Sequence, residues 1–291
     1  MVDAGSSAVA QAPALSQAEV GALLGAILAL GGAVLVPLVM LLGRLWIPRG
    51  PHFFARWGFT HLAQVVLLWL AASFVAALAF GRVESFEATL WRGALVFLPP
   101  AAWIVILAKR LDPDGLHALG WRLEGSTRAS LFGLAAYALL LPALFGVTLF
   151  WPWLFELLGG EHETQDVVRE FLQLESGARL VPVIFGVLVL PFFEELAFRA
   201  FLQPLLVQNL REVGGVVLTA ALFGLLHGLS AFLPVFVLAL ILGGVMQRTR
   251  RFAACWAVHA AHNGLILALL LYSPGAQDWL GTGTLLAVLL P

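Results

Sequence analysis

The chain has 291 residues, 61% of them hydrophobic and 11% charged, with a formal net charge of −1 and a mean hydropathy of +0.95. A soluble domain carries about 25% charged residues, so this composition excludes a soluble globular fold, and the near-zero net charge leaves no electrostatic footprint for nucleic acid. The single cysteine, Cys255, lies in an apolar segment, which excludes a disulfide framework and a cysteine-based zinc site.

Residues 1–17 read as a polar N-terminal tail. No basic residue precedes the first apolar run, whereas a signal peptide needs a positive n-region, so that run is expected to be a retained helix. Eight segments are long and apolar enough to span, at about 20 residues each. They fall near residues 19–42, 59–81, 90–108, 129–152, 180–206, 214–230, 232–248 and 252–272. The expected fold is therefore all-α, a polytopic membrane helix bundle with about eight transmembrane helices. The sixth and seventh segments meet at Ser230, which predicts a tight helical hairpin. The final WLGTGTLLAVLLP is too short for a ninth span and is read as part of a C-terminal tail, 274–291.

Pro99, Pro100, Pro142, Pro191 and Pro204 all lie within predicted spans, which membrane helices tolerate when neighbours satisfy the freed carbonyls. Pro191 has no backbone N–H to donate, which predicts a kink there. No internal repeat is evident, and this weighs against an inverted-repeat transporter.

Loop charge sets the expected orientation. With the N-terminus outside, the inner loops carry Arg44, Arg49, Arg56, Lys109, Arg110, Arg122, Arg128, Arg211, Arg248, Arg250 and Arg251. The outer loops carry only Arg82, Arg92, Arg169 and Arg179. That asymmetry obeys the positive-inside rule. The acidic loop GGEHETQDVVREFLQLESGA falls outside. Its Val167, Val168, Phe171, Leu172 and Leu174 suit a short amphipathic helix lying on the membrane.

Ionisable groups inside spans are costly, at about 2.5–3.5 kcal/mol each near mid-bilayer on insertion scales. Here they concentrate in the second half of the chain. The fifth segment holds Glu194, Glu195 and Arg199 in PFFEELAFRAFLQPLL. The sixth holds His227 in FGLLHG, and the eighth holds His259, His262 and Asn263 in HAAHNG. Helical spacing sorts them. Glu195 and Arg199 are i,i+4 and share a face, with the acid N-terminal to the base. Glu194 is turned about 100° away and is free to face another helix. His259 and Asn263 are i,i+4, with His262 at the edge of that face, and Phe223 lies one turn before His227. Each residue alone has a plain structural role, as an ion pair or as interhelical hydrogen-bonding glue. If the fifth, sixth and eighth segments pack together, Glu194, His227, His259 and Asn263 converge. A carboxylate with imidazole and amide donors suits peptide hydrolysis: Glu194 and His227 for water, His259 and Asn263 for the oxyanion.

In this order, EELAFR fits EExxxR, FGLLH fits FxxxH and HAAHN fits HxxxN. The chain thereby resembles the CPBP family of CAAX prenyl proteases and bacteriocin-processing proteins, also called the abortive-infection family. The similarity runs over roughly residues 180–272, with Ala200 where the family usually has glycine. The resemblance implies an intramembrane endopeptidase with its site towards the cytoplasmic side. It assigns Glu194 and His227 to water activation, His259 and Asn263 to the oxyanion, and Glu195 and Arg199 to support; Phe223 belongs to the second motif. The organisation then reads as a tail (1–17), N-terminal membrane helices with the acidic loop (18–178), a catalytic CPBP-like core (179–273) and the C-terminal tail.

Family members are described both as metalloproteases and as metal-independent glutamate proteases. Zinc held by Glu194, His227 and His259 is the alternative here, but no HExxH is present and the ligands would come from three helices, so a metal-free reaction is favoured. The rival function is a non-catalytic membrane scaffold or immunity protein that keeps the fold. A proton-coupled transporter fits less well, because the first four spans are almost free of acidic groups. GLSA at 228–231 is a faint match to a rhomboid serine motif, and no aspartate lies mid-span. The expected partners are the bilayer and a membrane-associated peptide or protein substrate. One lysine against fifteen arginines suggests a GC-rich, bacterial source, hence an inner-membrane location, and argues against a prenylated substrate.

Overall fold

The computed structural model describes residues 16–46, 55–81, 86–160 and 177–272. Most of the N-terminal tail, the amphipathic stretch from Val167 to Leu174 and the C-terminal tail lie outside the described residues. Among the described residues there are only helices: α1 (Gln17–Trp46), α2 (Phe59–Phe80), α3 (Phe86–Leu111), a 3₁₀ turn at Gly115–Leu119, and α4 (Ser126–Leu157). A continuous run, Leu180–Leu226, follows. Arg211 divides it, at φ 65° and ψ 172°, into α5 (180–210) and α6 (212–226). The bundle closes with α7 (Phe232–Thr249) and α8 (Phe252–Tyr272).

These eight helices correspond to the eight expected segments. Six helical runs among the described residues are long and apolar enough to cross a membrane. The number is lower than eight because α5 and α6 form one run and α1 contributes a shorter apolar stretch, Ala18–Gly32. The α6–α7 hairpin forms as expected, joined by residues 227–231 with Gly228 at φ 87°.

Small residues decide where the outer helices attach. α1 crosses α4 where Gly25 meets Gly146, and a Cβ on Gly146 would lie 2.5 Å from the Gly25 carbonyl oxygen. Only glycine permits backbones so close, the usual device of membrane helix pairs. α2 packs on α3 and turns Leu67, Leu70, Phe74 and Leu78 outwards, exposed apolar surface that suits lipid contact.

α5 lies between two apolar cores. On one side Tyr137, Phe223, Val235, Leu238, Leu242 and Val258 join α4, α6, α7 and α8. On the other, Trp57, Ile104, Leu107, Leu119, Phe201 and Leu205 join α3 and the loop before α2 to α5. The disturbance expected at Pro191 takes the form of widened turns. α5 is π-helical at Phe185–Val189 and again at Leu196–Leu202, with the α-helical turn Leu190–Glu195 between. Wide turns and prolines leave carbonyls without helical partners, and side chains from elsewhere take them up. Asn263 Nδ2 donates to the Gly186 carbonyl and Trp256 Nε1 to that of Leu188, each at 2.9 Å. Trp57 Nε1 donates to the Phe201 carbonyl, also at 2.9 Å, while its ring stacks on Phe201.

Candidate active site

The turn between the two π-helical segments carries Glu194 and Glu195, both buried. Their helical offset sends them to different partners. Glu195 Oε2 faces Arg199 Nε at 3.5 Å, one turn on, and both side chains are wholly buried. The Arg199 guanidinium lies 4.4 Å from the centre of the Phe223 ring, a cation–π contact out of water. Glu195 Oε1 accepts a 2.9 Å hydrogen bond from His259 Nδ1. Glu194 instead points between two imidazoles, with Oε1 3.9 Å from His227 Nε2 and Oε2 3.5 Å from His259 Nε2.

His227 caps the C-terminal end of α6, and its Nδ1 lies 2.8 Å from the Phe223 carbonyl. A carbonyl only accepts, so Nδ1 carries the hydrogen and, in the neutral ring, Nε2 presents a lone pair to Glu194. Two acceptors thus face one another across 3.9 Å. A water placed between them can donate one hydrogen to each. Phe223 is the spacer at the centre, its ring 4.5 Å from that of His227 and 5.9 Å from that of His259.

The structure therefore brings together Glu194, Glu195, Arg199, Phe223, His227 and His259 from α5, α6 and α8. Asn263 is on the same face of α8 as His259, but its amide is engaged with the Gly186 carbonyl, one Nδ2 hydrogen remains, and Oδ1 is buried without a partner. His262 turns away to share a 3.0 Å hydrogen bond with the Tyr137 hydroxyl on α4. Among the described residues, no three His, Cys, Asp or Glu side chains are gathered as a metal-holding group.

Residues 176–265 match the family model of type II CAAX prenyl endopeptidase Rce1-like proteins. The match is consistent with the resemblance to the CPBP family read from the three motifs. The matched stretch takes in every residue named in the cluster, but it covers under a third of the chain, so α1 to α4 lie outside it. Comparisons with curated proteins and with solved structures found no match.

Sequence reasoning missed Trp256 and Trp57, which help to hold this cluster in register. Trp256, His259 and Asn263, at i, i+3 and i+7, form one stripe on α8 that meets Leu188, Glu195 and Gly186 of α5. Trp57 adds a clamp from 144 residues away. The available signal was Pro191, whose missing N–H falls five residues after the Gly186 carbonyl that Asn263 takes up.

Proposed function

We propose that this protein is an intramembrane endopeptidase in which Glu194 activates water against a peptide bond of a membrane-associated peptide or protein. One observation carries the reading: a buried carboxylate lies between the Nε2 atoms of two histidines from two other helices. Glu194 takes a proton from water held against His227, and the hydroxide attacks the peptide carbonyl. The developing oxyanion is placed against the His259 ring and an N–H of Asn263, the latter through the hydrogen not given to Gly186. Glu194 then passes its proton to the leaving amine. One water is consumed per bond, giving a carboxylic acid and an amine.

The reaction is proposed to need no metal. No HExxH is present, and the three candidate ligands are spread over three helices. The basic residues beside α5, α7 and α8 support an orientation with the N-terminus outside and the site towards the cytoplasmic side of a bacterial inner membrane. The composition supports a substrate without a prenyl group. The test uses the full chain in nanodiscs with membrane-associated peptides: cleavage that persists through a chelator series supports the metal-free reaction, and loss restored by zinc would replace it. Absence of any cleavage by a folded chain would favour the scaffold reading.

A further inference from the structure

The described residues contain eight buried side-chain polar atoms without a hydrogen-bond partner, and six of them lie on one seam. They are Glu195 Oε2 and Arg199 Nε, which face each other as a 3.5 Å ion pair, Arg199 Nη1 and Nη2, Gln203 Oε1 and Gln247 Oε1. Glu195, Arg199 and Gln203 recur every four residues through the π-helical stretch of α5, whose widened turns keep them near one face. Gln203 Nε2 donates to the Gly243 carbonyl of α7 at 3.0 Å. A Cβ on Gly243 would lie 2.8 Å from Val216 Cγ1 and 3.1 Å from Gln203 Oε1, so α7 passes closely by this amide. Gln247 comes one turn later on α7 and is 8% exposed, whereas Glu195, Arg199 and Gln203 are at 0%. The seam thus runs from the catalytic cluster to the surface end of α7, beside Arg248, Arg250 and Arg251.

Both donors and acceptors lie along it. Arg199 offers guanidinium N–H groups, and Gln203 and Gln247 offer carbonyl oxygens. A molecule that accepts from one and donates to the next satisfies both, and water is the small molecule that does this. Such groups are not retained in an apolar interior without partners. We propose that the α5–α7 seam is a water-binding path that brings hydrolytic water from the basic end of the bundle to the Glu195 side of the site. The proposal rests on the peptidase reading, since each cleavage draws one water into a helix bundle that is otherwise apolar at this depth.

The experiment is X-ray hydroxyl-radical footprinting of the full chain in nanodiscs, read by mass spectrometry at Cys255. It is buried and meets the Leu242 carbonyl of α7 at 3.6 Å. Radicals formed on water bound in the seam are expected to reach it, and radicals from bulk solvent are not. The expected result is modification in the wild type that falls at least about threefold in Gln203→Met, with kcat lowered and KM unchanged. Should Gln203→Met not fold, the less buried Gln247→Met gives the same comparison. Equal modification in wild type and variant, or none in the wild type, overturns the path. A labelled seam in a folded chain that cleaves nothing overturns the peptidase reading and leaves the water site standing. Cleavage by a chain whose seam is unlabelled overturns the water path alone.

Discussion

His259 gives its Nδ1 hydrogen to Glu195 at 2.9 Å, and the same ring turns Nε2 to Glu194 at 3.5 Å. One imidazole therefore answers two carboxylates that are adjacent in sequence but about 100° apart on α5. Glu195 fixes the tautomer and orientation of His259, the part an orienting acid plays in a catalytic triad. It also balances the buried Arg199. Glu195→Gln is expected to lower kcat by about 10²–10⁴-fold with little change in KM. It should also destabilise the fold by about 3–5 kcal/mol, because Arg199 is left without its counter-charge. Pairing it with Arg199→Met separates the two effects. Thermal unfolding in detergent should recover while turnover does not.

His227→Gln removes the imidazole lone pair that faces Glu194 while keeping a polar side chain of similar reach. Turnover is expected to drop by about 10²–10⁴-fold, in line with the loss of a group that handles the water proton. Melting temperature and substrate KM should stay close to wild type, which steady-state kinetics and a thermal melt would show.

The acid pair and Arg199 were legible because helix period alone separates Glu194 from Glu195 and aligns Glu195 with Arg199. FxxxH likewise placed Phe223 against His227. Other features could not be read in advance. Whether α5, α6 and α8 pack together is a tertiary fact, as is the engagement of Asn263 with Gly186 and of His262 with Tyr137. Pro191 signalled a disturbed helix, but not that the turns widen on both sides of the glutamates. Arg211 carries no breaker residue, yet it takes a positive φ that separates two helices; no local propensity announces that. The span count differs for the same reason, since residues 207–213, read as a loop, are helical on both sides of Arg211.

Trp256→Phe and Trp57→Phe each keep an aromatic ring and remove one N–H. Each leaves a carbonyl of α5 without its donor, at an expected cost of about 1–3 kcal/mol. The Trp57 variant should be the more damaging, because that indole is almost fully buried and stacks on Phe201. Equilibrium unfolding followed by circular dichroism in detergent would check both.

Two glycines in α1 give a built-in comparison. A Cβ on Gly25 would meet the Gly146 carbonyl oxygen at 2.5 Å, whereas one on Gly21 meets nothing within 4 Å. Gly25→Leu is expected to pry α1 from α4 and to lower the melting temperature clearly. Gly21→Leu should be neutral or stabilising by up to about 1 kcal/mol, since glycine is a poor helix former.

Glu194 is the proposed base. Wild-type protein and Glu194→Gln, expressed at matched levels in the native host, can be compared by mass spectrometry of new peptide termini in the membrane fraction. Glutamine keeps the size and hydrogen-bonding reach but cannot take the proton. Termini present with wild type and absent with Glu194→Gln are the expected result, and they would also name the substrate. Identical termini in both, with both proteins folded, would contradict the account and leave the buried cluster as interhelical glue.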